Sequence, residues 1–87
     1  MSSMIEMAVK STVDRIATDY VRERHLPAIL PAPWGDTARI VARLERGLTA
    51  ASNGLARGHW AASANRTLAI RGALQAERAT LAKELGA

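Results

Sequence analysis

Cysteine is absent from this 87-residue chain, which removes disulfides, thiolate nucleophiles and Cys-based zinc sites together. Phenylalanine is absent as well, leaving Tyr20, Trp34 and Trp60 as the only aromatic residues of the Phe/Trp/Tyr class. That set is too small for a base-stacking platform of the kind that grips single-stranded nucleic acid. The two histidines, His25 and His59, stand far apart, and neither has a His, Asp or Glu at the spacing of a metal-binding helix. No glycine-rich phosphate loop is present, and nucleophilic chemistry needs a Ser, Thr or Cys beside an oriented base, for which the two isolated histidines give no sign. We therefore expect no enzyme, no cofactor and no metal. No apolar run approaches the roughly 20 residues needed to span a bilayer. Residues 1–7 contain Glu6 and lack a basic region followed by an apolar stretch, unlike a signal peptide. A cytoplasmic protein without a membrane partner is the expectation.

What the chain does have is alanine, at 18 positions. Alanine favours helix and buries little apolar area per residue. A chain this short also buries a smaller fraction of its surface than a larger one. The expected core is helical and thin, and sharing it with a second copy is one remedy, so a homodimer is expected. Ten of the 12 basic residues are Arg. With the alanine content, that bias fits a GC-rich genome, bacterial or carried by an element living in such bacteria.

The pattern of apolar residues predicts an all-α fold in a single domain spanning residues 1–87. A first amphipathic helix covers about residues 3–24, where Ile5, Val9, Val13, Ile16 and Tyr20 recur at helical spacing. Pro27, Pro31 and Pro33 then break the pattern over residues 25–36. That loop is too apolar for a free linker, so Leu26, Ile29, Leu30 and Trp34 are expected to pack across helix ends or to join an interface. A second helix over about residues 37–56 starts with Asp36 as its N-cap. Its apolar stripe is Ile40, Leu44, Leu48, Ala51 and Leu55. Asn53-Gly54 and Gly58 signal its end. A third helix covers about residues 60–85, with Ile70, Leu74, Leu81 and Leu85 on or near one stripe and Arg66, Glu77 and Glu84 on a polar flank. The whole reads as a three-helix arrangement, in which the first helix and the Pro-rich loop precede an antiparallel helical hairpin.

Charge is uneven along the chain. Residues 1–36 carry four basic and five acidic side chains, for −1, whereas residues 37–76 carry six Arg and one Glu, for +5. Arg39, Arg43 and Arg46 share one edge of the second helix. Such an edge could follow a phosphate backbone with strong salt dependence, or lie solvated and paired with nearby acids. A helix-turn-helix fits poorly, because Ala50 and Gly54 suit the tight turn but Thr49, Asn53 and Ser63 would have to be buried. The leading expectation is a small protein-binding module, a regulator or inhibitor of a host protein complex, like the small helical accessory factors of phages and plasmids. Its expected contact residues are Leu30, Trp34, Trp60 and the Arg39, Arg43 and Arg46 edge, facing an acidic protein surface. Nucleic-acid binding through the same arginines is the alternative.

Overall fold

The computed structural model describes the backbone of residues 4–56, 58 and 60–86, and the side chains of these apart from 4, 5, 55, 56 and 60–63. The regular structure among the described residues is all helical, with no strand: α1 (Met4–Asp19), α2 (Arg22–His25), a 3-10 turn (Leu26–Ala28), α3 (Thr37–Ala56) and α4 (Trp60–Glu84). The long α4 is the centre of the packing, contacting α3 along one side and α1 along another.

The first helix is not continuous to residue 24 as its periodicity predicts. It stops at Asp19 and restarts at Arg22, with Val21 between them in extended conformation at φ −129°, ψ 119°. The reason lies in what residues 20 and 22 reach. In a helix, residues two apart point to nearly opposite sides, whereas an extended residue between them turns both the same way. With Val21 extended, Tyr20 and Arg22 both hydrogen-bond Glu77 on α4. The break is finished locally. The Val21 carbonyl accepts the backbone N–H of His25 at 2.8 Å, and the Val21 N–H donates to His25 Nδ1 at 2.8 Å. Both backbone groups of Val21, the N-cap of α2, are thus satisfied, the carbonyl by the first helical hydrogen bond and the N–H by the His25 ring.

The Pro-containing segment folds back onto the helices. Leu26 is fully buried and Leu30 is 8% exposed, and both join a core with Ile40, Val41, Leu44, Ala51, Ile70, Ala73 and Leu74. Tyr20, Ile29, Trp34, Leu48 and Leu81 pack around it, half-buried. Each large aliphatic side chain removed from water in this way stabilises the fold by about 1.5–3 kcal/mol. Further contacts fix the loop. The Trp34 indole N–H donates to the Leu30 carbonyl at 3.1 Å, and the Arg43 guanidinium donates to the carbonyls of Pro33 (2.9 Å) and Pro31 (3.1 Å). Gly35 then turns at φ +78°, a conformation that side-chain-bearing residues avoid.

Asp36 caps α3 as expected, its Oδ1 accepting the Arg39 backbone N–H at 2.9 Å. The helix runs through Asn53 and Gly54 to Ala56 without the turn that a helix-turn-helix would need. Of its expected stripe, Ile40 and Leu44 are fully buried, Ala51 is 6% exposed and Leu48 is half-buried, while the Leu55 side chain lies outside the described residues. On α4, Ile70 and Leu74 are buried, while Leu85 lies beyond the helix end at 75% exposure. A small residue allows the approach of α1. A Cβ on Gly72 would come within 2.6 Å of Ile16 Cβ and 3.4 Å of the Ala17 backbone nitrogen.

Candidate functional site

The most concentrated polar chemistry is at the α1–α2 break, where the sequence pattern put Tyr20 on an apolar stripe and Glu77 on a polar flank; the structure instead buries Glu77. Glu77 is 1% exposed, and its carboxylate accepts three hydrogen bonds. Arg22 donates through Nε to Oε2 at 2.9 Å and through NH2 to Oε1 at 2.6 Å, and the Tyr20 hydroxyl donates to Oε2 at 2.6 Å. Arg22 NH2 also donates to Thr37 Oγ1 at 3.1 Å, and the Thr37 hydroxyl donates to Glu84 at 2.5 Å. The chain of contacts thus joins the break, the start of α3 and the end of α4. Burial alone would raise the Glu77 carboxyl, but the hydrogen bonds from Arg22 and Tyr20 and the charge of Arg22 outweigh it and hold the group below its ordinary value. Burial, and then the hydrogen bond to Glu77, push the Tyr20 phenol well above its ordinary range. The hydrogen bond to Glu77 raises Arg22 in the same way. Both carboxylate oxygens of Glu77 are occupied, so the assembly is a structural latch.

A signal for Glu77 was present in the sequence. It stands seven residues from Ile70 and four from Leu81, in register with the buried stripe of α4. Its partners could not be found that way, since Tyr20 and Arg22 lie 57 and 55 residues away along the chain.

The expected contact residues divide in the structure. Leu30 is buried in the chain's own core and offers no surface, which corrects its expected role: the 3-10 turn swings it inward together with Leu26. Trp34 is half-buried with its N–H satisfied by Leu30, so only part of the ring is free for a partner. Trp60 begins α4, and its side chain lies outside the described residues. Arg39, Arg43 and Arg46 do come together, lining one shallow depression with Ala42. Their roles differ. Arg43 is half-buried and holds the loop carbonyls, whereas Arg39 and Arg46 are exposed. The salt bridges among the described residues are Arg22–Glu77 and a loose Arg78–Glu45 pair at 3.9 Å. Neither involves Arg39 or Arg46.

A second concavity, about 370 Å³ in volume, lies between the C-terminal half of α1, α2 with its 3-10 turn, and the middle of α4. Ile16, Tyr20, Ile29 and Ala69 form its largely apolar interior, and Arg15, Asp19 and Arg24 stand among its lining residues. His25 stacks on Tyr20 with ring centroids 6.0 Å apart and planes at 28°.

Among the described residues no group of three or more His, Asp or Glu side chains is placed to hold a metal ion, and no helix is long and apolar enough to cross a membrane. The fold and site define a small all-helical domain with an internal ionic latch, an arginine edge and an apolar cleft. Comparison with known protein families, curated proteins and solved structures finds no match.

Proposed function

We propose that this chain is a non-catalytic protein-binding module that presents a basic face to an acidic protein surface and acts as a regulator or inhibitor of a larger complex. The observation that carries this reading is the contrast between two sets of charges. The carboxylate that gathers polar groups, Glu77, is buried and saturated, whereas Arg39 and Arg46 are exposed and make no salt bridge among the described residues. Unpaired surface arginines speed and orient association with an acidic partner more than they add affinity. Size, alanine content and arginine bias fit an accessory factor of a phage or other mobile element. In this reading α3 and α4 form an antiparallel hairpin with the α1–α2 arm laid across it, supported by the contacts of Thr37 with Glu84 and of Glu45 with Arg78. A homodimer is part of the proposal, supported by Met7 at 64% and Leu85 at 75% exposure.

Nucleic-acid binding through the same edge is the second reading, favoured by the +5 charge of residues 37–76. The diversion of Arg43 to the carbonyls of Pro31 and Pro33 weighs against it, because the edge keeps only Arg39 and Arg46 free to follow a phosphate backbone. The test is retention on immobilised duplex DNA and RNA across a salt series, for the native chain and for Arg39→Glu/Arg46→Glu. Arg43 is left in place so that the loop stays anchored. The protein-binding reading expects weak retention without sequence preference. Tight retention that falls steeply with salt and vanishes in the variant would favour nucleic acid.

A further inference from the structure

We infer that the cleft between α1, α2 and α4 is a second docking site, one that takes an apolar side chain of a partner helix whose flanking residues are acidic. The inference rests on the protein-binding reading and assigns it a contact distinct from the arginine edge. The interior supplies the anchor pocket. Ile16, Ile29 and Ala69 are half-buried and face one space of about 370 Å³, within the range of about 300–1,000 Å³ typical of pockets that bury a ligand. The walls are held rather than collapsible. Tyr20 is fixed by its hydroxyl bond to Glu77 and His25 by the Val21 N–H, and the two rings stack on each other. A pocket whose walls are already ordered loses little conformational entropy when it is filled.

Charge identifies the occupant. Arg15 and Arg24 line the cleft, both exposed and neither in a salt bridge among the described residues. Arg66 approaches from α4, its guanidinium 3.5 Å from the Ile29 carbonyl. Among the lining residues two cations, Arg15 and Arg24, thus face one carboxylate, Asp19, which pairs with neither of them nor with Arg66. His25 Nδ1 lies 2.8 Å from the Val21 N–H, which leaves Nε2 as the ring's remaining polar atom. An apolar floor under a cationic rim selects a ligand with the converse pattern. A helix that docks into a groove through apolar residues at i, i+3 or i+4, with Asp or Glu beside them, has that pattern.

The test is selection of a displayed library of helical peptides against the immobilised full-length chain, followed by titration of the selected peptides in solution. The expected peptides share Leu, Ile or Met anchors at helical spacing with acidic flanks. Their binding should weaken about tenfold or more with Arg15→Glu/Arg24→Glu, and that variant should gain affinity for the same peptides with Lys at the flanks. Ala28→Trp, at an exposed cleft residue, should block binding while keeping a native melting curve. Arg39→Glu/Arg46→Glu should leave it unchanged. Selected peptides that lack acidic flanks, or that ignore Arg15, Arg24 and Ala28, overturn the inference, as does a selection that yields none. If selected peptides respond only to Arg39 and Arg46, the cleft assignment fails while the protein-binding reading stands. If the chain instead retains nucleic acid tightly and selects no peptide, both fail.

Discussion

Replacing Arg22 by Met should destabilise the fold far more than replacing its partner Glu77 by Leu, although both changes break the same ion pair. The asymmetry follows from exposure. The Glu77 side chain is 1% exposed and the Arg22 side chain 30%. Without Arg22, Glu77 Oε1 loses its donor and Oε2 keeps only Tyr20, leaving a buried carboxylate that no cation compensates. Breaking a buried pair in this way costs about 3–5 kcal/mol. Without Glu77, Arg22 keeps its bond to Thr37 and turns to water, so the loss is nearer the about 1–3 kcal/mol of unmade hydrogen bonds. The double change to Met and Leu removes both charges and should cost less than Arg22→Met alone. An 87-residue domain holds about 4–13 kcal/mol in total at typical per-residue stability, so these differences are large.

The pH dependence should also reverse. In the native chain the folded-state Glu77 lies below its unfolded value, so its contribution is present above about pH 4.3 and is lost as pH falls through the folded value. In Arg22→Met the desolvation of Glu77 is no longer outweighed, its folded value rises above the unfolded one, and acidification from pH 7 towards pH 5 should recover stability by neutralising the carboxylate. The assay is urea denaturation followed by circular dichroism at pH 7 and pH 5 for the four members of the cycle. A cost for Arg22→Met below about 1 kcal/mol at pH 7, or no recovery on acidification, would refute the reasoning.

Four further outcomes concern packing and assembly. Gly72→Ala should lower the melting temperature, because overpacking against Ile16 and the Ala17 backbone costs about 1–3 kcal/mol and exceeds the gain in helix propensity of about 1 kcal/mol. Gly47→Ala, whose new methyl would meet only Ile70 Cδ1 at 3.6 Å, should raise it by several degrees in the same melting experiment. Asp36→Ala removes the acceptor for the Arg39 N–H and should cost about 1 kcal/mol, read as a shift of the urea midpoint without a change in slope. Light scattering on the purified chain should give the mass of a dimer, and a monomer with a cooperative melt would show that the core suffices alone.

The parts of the fold that the sequence made legible are those written in local patterns. The stripe of Ile40, Leu44 and Ala51, the Asp36 cap and the inward packing of the apolar Pro segment all follow from spacing and composition over a few turns. The break at Tyr20–Val21 was not legible, since nothing there resembles a breaker. Two side chains bound to a residue on α4 override a helical periodicity that is otherwise continuous. The edge of Arg39, Arg43 and Arg46 was legible as an arrangement, but the loop-holding role of Arg43 depends on where Pro31 and Pro33 put their carbonyls. The cleft was invisible for the same reason. Eight of its nine lining residues fall within residues 15–29, but that stretch passes from helix through an extended residue to a helix and a 3-10 turn, so no single periodicity spans it, and Ala69 comes from α4.

The most direct test of the proposed function is affinity capture with the full-length chain from its native cells after nuclease treatment, followed by reconstitution of the captured species from purified components. The protein-binding account predicts a stoichiometric protein that survives nuclease, re-forms a complex of defined mass and dissociates faster or associates more slowly with Arg39→Glu/Arg46→Glu. Loss of every captured species on nuclease treatment would contradict it.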